Sequence, residues 1–206
     1  MALSIKRITA PAHRKAEAAV ALATPFASRR AYADYLARLY GFYAEVEPIL
    51  FERLSGVLPD ANERAKLPLL TQDLRVLDAS AVVTAAPRCR SLPRLTCAAS
   101  AMGVAYVLEG KTLGSRFLLE DARRLLGLDA GCGASFFAGY GPRTGAMWRA
   151  YRDALEVFVG RRGCRATVLL GAQSTFASFT TWVTPASSST APVPAAYPPA
   201  ALATTA

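Results

Sequence analysis

Histidine is nearly missing: among 206 residues there is one, His13. A metal site built from several imidazoles is therefore excluded, and a catalytic triad that needs histidine has only this one to use. Cysteine is sparse and scattered. Cys89, Cys97, Cys132 and Cys164 form no Cys-x-x-Cys pair. Zinc ribbons, thioredoxin-like motifs and disulfide frameworks are thus without support, and reduced thiols are the expectation. There is no Gly-x-Gly-x-x-Gly with its following acid and no P-loop, so the chain carries no evident nicotinamide or flavin domain of its own. Strand signals are weak as well: no alternating β-branched run is bounded by an Asn-Gly or Asp-Gly turn. After Arg165 charged side chains disappear altogether.

What is present is apolar and basic. Hydrophobic residues make up 52% and charged residues 19%, with 24 Lys+Arg against 15 Asp+Glu for a formal charge of +9. That mix is too apolar for a disordered chain, and the length suffices to bury a core without disulfide staples, so one domain is expected. The basic excess invites nucleic acid. Lys and Arg are scattered, however, and no helix-turn-helix pair presents Arg, Asn and Gln together on one face. The N-terminus lacks the continuous apolar core of a secretory signal, which points to a cytoplasmic protein. Residues 166–183 approach the length of a membrane span. Leu169, Ala172, Phe176, Phe179 and Val183 nevertheless fall at helical spacing with Gln173, Ser174, Ser178 and Thr181 between them, the pattern of an amphipathic core helix and not of a lipid-facing one.

Helical periodicity dominates, and the expected fold is all-α. Thr9 and Pro11 mark the start of a first helix that ends before Pro25. Ser28 is placed to cap a second, through residues 29–54, with a bend expected at Gly41 or Pro48. A short helix is predicted around 66–77 and one long helix over 95–126. A turn-rich segment follows at 127–145, then helices over 146–160 and 166–183. No internal repeat is evident. Residues 184–206 are a Pro/Ala/Ser/Thr-rich stretch expected to be disordered, which leaves 1–183 as the working domain.

Two features bear on function. His13 and Glu17 share a helix face at i,i+4 spacing. An imidazole bound to a metal through one nitrogen commonly gives its other N–H to a carboxylate, yet the same pattern fits a solvated surface helix. Gly110 and Gly114 lie one turn apart. Each glycine inside a helix disfavours it by roughly 1 kcal/mol against alanine, so the pair suggests that another helix or a flat ligand approaches the backbone closely. Glu109, Lys111, Arg116 and Glu120 flank the pair and exclude a transmembrane Gly-x-x-x-Gly dimer motif.

Together the two features resemble the haem oxygenase family. Residues 5–17, with Thr9, His13 and Glu17, resemble its opening segment, in which a threonine stands four residues before the proximal histidine and a glutamate four after it. Tyr106-Val107-Leu108-Glu109-Gly110-Lys111-Thr112-Leu113-Gly114-Ser115 resembles the glycine-containing distal helix of the bacterial, bacteriophytochrome-associated branch. Tyr35-Leu36, Phe42-Tyr43 and Glu47-Pro48 are similar to the family's second helix. Phe136 to Tyr140, Trp148 and Phe176 to Trp182 also fit, so the resemblance covers residues 5–183.

The resemblance implies a single-domain helical bundle with haem b between a proximal and a kinked distal helix. His13 would be the axial ligand and Glu17 would hold its ring. Gly110 and Gly114, with Ser115, would form the distal face. Lys6, Arg7, Tyr106, Arg149 and Arg152 would meet the propionates. The implied activity is oxidative opening of haem to biliverdin with release of CO and ferrous iron, using O₂. With no reductase domain in the chain, electrons would come from a ferredoxin, flavodoxin or reductase, and a bacteriophytochrome could receive the biliverdin. Neither nucleic acid nor membrane is an expected partner. Two positions depart from the branch, which usually reads Glu-Gly-Ser-x-Leu-Gly-Gly: Lys111 adds a cation, and Ser115 replaces a glycine. These departures keep a non-catalytic haem-binding or haem-sensing protein as the alternative.

Overall fold

The computed structural model describes residues 2–78 and 86–184, and among these it contains helices and no strand. The chain order is α1 (Ala2–Leu22), α2 (Arg29–Leu54), α3 (Leu67–Val76), α4 (Ala98–Gly114), α5 (Arg116–Leu126), a short α6 (Ser135–Ala138), α7 (Thr144–Arg162) and α8 (Arg165–Val183). The tail expected over 184–206 lies, beyond Thr184, outside the described residues.

The first helix differs from the sequence expectation. It begins at Ala2 and carries Pro11 inside it. Proline removes one backbone donor and crowds the preceding turn, but packing wins here. Ile5, Thr9, Ala16 and Ala19 form a buried stripe at helical spacing, with the partly buried Ala12 between, and the Thr9 hydroxyl donates to the Ile5 carbonyl at 2.8 Å. The second helix matches the expected bounds, with the Ser28 side chain accepting from Ala31 N at 3.0 Å. Gly41 has a packing reason: a Cβ there would lie 2.0 Å from the Pro87 carbonyl oxygen.

The long helix predicted over 95–126 is two helices. At the break the Ser115 hydroxyl donates to the Lys111 carbonyl at 2.8 Å, while the Ser115 amide turns to Thr112 O at 3.3 Å. A side chain that takes the i−4 carbonyl competes with the helix ladder. The kink that the resemblance implies for this helix takes the form of a helix–helix junction at Ser115.

The last helix, α8, forms the spine of the bundle. A Cβ on Gly103 would sit 2.0 Å from Val168 O, and one on Gly171 would sit 2.2 Å from Ser100 O. Helices α4 and α8 therefore run antiparallel with their backbones touching, an approach only glycine permits. Arg38 and Trp182 exchange side chain-to-carbonyl hydrogen bonds at 3.0 and 2.7 Å, which tie α8 to α2. Helix α8, charged only at Arg165, is a core helix as read from its spacing: Ala172, Phe176, Phe179 and Val183 are buried and Leu169 is part-buried, while Gln173 and Thr181 face solvent. Among the described residues no helix is long and apolar enough to cross a membrane.

Candidate functional site

Both sequence features rest on α8. His13 stands on α1 with its side chain half exposed, its ring edge-on to Phe176 of α8 at 5.7 Å between centroids. Its Nδ1 lies 3.4 Å from Glu17 Oε2, so Nε2 is the nitrogen left for a ligand. One turn further along α8, Phe179 faces the ammonium of Lys111 on α4 at 5.5 Å. Helix α8 therefore connects the imidazole on α1 to the glycine-bearing helix.

The helix-packing explanation for Gly110 and Gly114 does not hold; that role falls to Gly103. A Cβ on Gly110 would meet only Trp148, at 3.8 Å, and one on Gly114 would meet nothing within 4 Å. Leu113 and Phe117, on either side of Gly114, are exposed at 37% and 41%, as are several other large apolar side chains of the surface. Ser115 is buried, and its hydroxyl is already committed to Lys111 O.

The cationic candidates fall in two pairs on two helices. Lys6 and Arg7 are exposed on α1, and Arg149 and Arg152 are exposed on α7. Tyr106 is buried against Trp148 at 5.5 Å. Burial pushes its hydroxyl up to about 12, with the Arg152 charge opposing the shift, so Tyr106 and Arg152 act on each other across α4 and α7.

Behind the glycine face lies a charged network that sequence reasoning did not find. Arg64 is buried and binds Glu109 Oε2 at 2.6 Å and Asp60 through two bonds of 2.9 and 2.7 Å. The Tyr140 hydroxyl donates to Glu109 Oε1 at 2.7 Å, and Lys66 Nζ donates to Tyr140 at 2.5 Å. Glu47 accepts from the backbone amides of Lys66 and Leu67 at 2.6 and 3.2 Å. Burial holds the Lys66 ammonium down at about 8 and raises the Glu47 carboxyl. Removing one partner of such a buried pair typically destabilises by about 3–5 kcal/mol, so this cluster fixes α4 just before Gly110. In the sequence Glu109 reads only as a flanking charge. Its partners Asp60 and Arg64 lie in a loop and a 3₁₀ turn, where no periodicity announces burial.

A second buried acid, Asp73, accepts from the Ser135 amide at 2.8 Å, the Ser135 hydroxyl at 2.7 Å and the Phe136 amide at 2.8 Å. It thereby holds α6, whose Phe136 and Phe137 rings lie 5.3 and 5.7 Å from Lys111 Nζ.

This arrangement fits a flat, mostly apolar ligand that needs one axial nitrogen and has anionic edges. The imidazole offers a free nitrogen, α4 has no Cβ at its open glycine, Leu113 and Phe117 add exposed apolar surface beside it, and cations stand on α1 and α7. The family model for heme oxygenase matches residues 1–185. The chain belongs to the haem oxygenase family.

It is 32% identical over 152 residues to a heme oxygenase of Xanthomonas campestris pv. campestris, covering 73% of this chain and 87% of that one. Among solved structures, the fold is similar to the NO- and CO-bound heme oxygenase of Neisseria meningitidis, with a TM-score of 0.75 at 24% identity over 88% of this chain and 89% of that one. It is also similar to the heme oxygenase of Leptospira interrogans, with a TM-score of 0.69 at 18% identity over 89% and 98%. The protein is accordingly an oxidoreductase with haem as substrate and the all-α fold of the family. The general family reaction opens haem to biliverdin and releases CO and iron. The expectation of an enzyme stands over that of a haem sensor.

Proposed function

We propose that the substrate is haem b, held through His13 Nε2, and that the biliverdin formed serves as product for a separate acceptor. The observation that carries this reading is the chain's single imidazole, set on α1 with Nδ1 turned to Glu17 at 3.4 Å. When bound, haem b supplies both the redox-active iron and the ring that is oxidised. The other roles belong to this chain's own side chains. Glu17 accepts a hydrogen bond from Nδ1–H, which fixes the tautomer and keeps Nε2 a donor of electrons. Gly110 and Gly114 keep the α4 backbone free of Cβ atoms, so that the helix itself limits the space above the ligand, and Ser115 sets where that helix breaks. Lys6, Arg7, Arg149 and Arg152 pair with the propionates, and Tyr106 offers a hydroxyl beside Arg152. The absence of flavin and nicotinamide motifs supports an external electron donor of the ferredoxin, flavodoxin or reductase class. Reduced, scattered cysteines support a cytoplasmic setting, and the branch resemblance supports a bacteriophytochrome as the acceptor of biliverdin.

Hemin titration tests the reading. The full chain is expected to give the Soret band of histidine-ligated haem and, with a reductant in air, the spectrum of biliverdin. His13→Ala is expected to bind some haem without the native axial-ligand spectrum. An unchanged spectrum in His13→Ala would remove the ligand assignment.

A further inference from the structure

Lys111 is the residue that neither the fold nor the proposed haem site accounts for. Its ammonium sits among the rings of Phe136, Phe137 and Phe179 at 5.3, 5.7 and 5.5 Å. Among the described residues it has neither a carboxylate nor a hydrogen-bond acceptor. The contrast with Lys66 is direct: that buried ammonium binds Arg64 O at 2.7 Å and the Tyr140 hydroxyl at 2.5 Å. Cation–π contacts offset only part of the loss when an ammonium leaves water. The residue as a whole is part-buried, and the loss of water around its ammonium lowers it from 10.5 to about 8. Methionine or leucine would fill the same phenylalanine cage without that penalty, so the amine is retained at a stability disadvantage of the kind that marks functional groups.

Its position says what the amine serves. Lys111 immediately follows Gly110 on the helix whose open face fits haem, and its cage ring Phe179 lies one turn from Phe176, which touches His13. The amine and the imidazole are thus carried on two helices, α4 and α1, that share α8. The polarity of a distal haem pocket, and any donor in it, decides how a diatomic ligand on iron is held and polarised.

Resting on the haem site proposed above, we propose that Lys111 is the distal hydrogen-bond donor of this protein: its ammonium leaves the phenylalanine cage to contact the outer atom of a diatomic ligand bound opposite His13. The bound ligand supplies the acceptor that the cage lacks. A hydrogen bond from a charged donor is about twice as strong as a neutral one, which suits a side chain that must give up ring contacts to make it. Lys111 in this role is a positioning and polarising group for the ligand, and it makes no bond to the iron.

Carbon monoxide on the ferrous haem complex is the probe, read by the C–O stretching frequency. A cation at the CO oxygen draws electron density from iron into the C–O antibonding orbital and lowers that frequency. Wild type is expected to show a lower C–O stretch than Lys111→Met, and Lys111→Arg is expected to restore the low value. Methionine fills the cage without a charge, so Lys111→Met keeps the fold and should retain the Soret band. Equal frequencies in wild type and Lys111→Met would overturn the proposal. So would a loss of haem affinity in Lys111→Met with an unchanged C–O stretch, because the amine would then serve a propionate. A six-coordinate, low-spin ferric wild type that becomes high-spin in Lys111→Met would also overturn it, since the amine would then be an iron ligand. Failure of the wild type to bind hemin at all would instead remove the parent reading, so the two failures are distinguishable.

Discussion

At the residue scale, Lys111 couples function to stability through its proton. The folded protein holds this ammonium down at about 8, from the ordinary 10.5, because burial penalises the charge. Below pH 8 both folded and unfolded chains carry the proton, and the penalty is present in full. Between about 8 and 10.5 the unfolded chain binds more protons, so stability rises with pH through this window. At about 1.4 kcal/mol per pK unit the span is worth up to roughly 3 kcal/mol, less what the three rings return. Haem-free Lys111→Met is therefore expected to be more stable than wild type by about 1–3 kcal/mol at pH 7, with the difference shrinking as pH approaches 10. Urea unfolding of both proteins at the two pH values checks this. A difference that stays constant with pH would mean that the lysine reaches solvent in the folded state. None of this was legible in the sequence, where Lys111 is visible only as a departure from the family pattern. The three rings that surround it come from two other helices, and one of these, α6, is four residues long and held by the buried Asp73.

At the element scale, the glycines of α4 divide into two kinds that look identical in the sequence. Gly103 serves the fold, together with its counterpart Gly171 on α8: an added Cβ would fall 2.0 and 2.2 Å from backbone oxygens that cannot move aside without parting α4 from α8. Gly103→Ala and Gly171→Ala are each expected to lower stability by about 1–3 kcal/mol or more, the range of an overpacked core. Gly110 and Gly114 have room for a methyl group, so Gly114→Ala should leave haem-free stability unchanged or raise it by up to about 1 kcal/mol through helix propensity. The same substitution is expected to weaken hemin binding or turnover, because the methyl group stands where the ligand approaches the backbone. Thermal unfolding without haem, paired with hemin titration, separates the two classes. Wild-type binding and turnover by Gly114→Ala would move the ligand face off this side of α4. Helix bounds followed the same logic of local against distant forces. The α2 start was readable because Ser28 caps it through its own backbone neighbours. The α1 start was missed and the α4–α5 break was implied by the resemblance alone, because buried packing overrides Pro11 in the first and the Ser115 hydroxyl disrupts the ladder in the second.

At the scale of the whole molecule, one core helix is nearly free of charge. The spine helix α8 has one charged side chain, Arg165 at its start. All charged side chains of the chain fall within the described residues, so all but one unit of the +9 excess is carried outside α8. On α1 it includes the exposed Lys6, Arg7, Arg14 and Lys15, which bracket His13, and on α7 the exposed Arg149 and Arg152. The composition alone suggested nucleic acid, and only the placement of the cations on the helix that carries His13, and on the helix packed against Tyr106 and Gly110, gives them a different use. The electron donors proposed here are commonly acidic, and a basic rim speeds their arrival by long-range attraction. Such attraction is screened over about 10 Å at 0.1 M salt and about 3 Å at 1 M. Turnover limited by an acidic ferredoxin is therefore expected to slow steeply as salt rises across that range, while turnover driven by excess ascorbate changes far less. Reversing Arg14 and Lys15 to Glu, on the exposed side of α1, is expected to reproduce at low salt the slowing that high salt causes in wild type, with the Soret band preserved. Equal rates with ferredoxin for wild type and the charge-reversed protein at low salt would exclude the α1 face as the donor's approach and leave the cations of α7 to be tested in the same way.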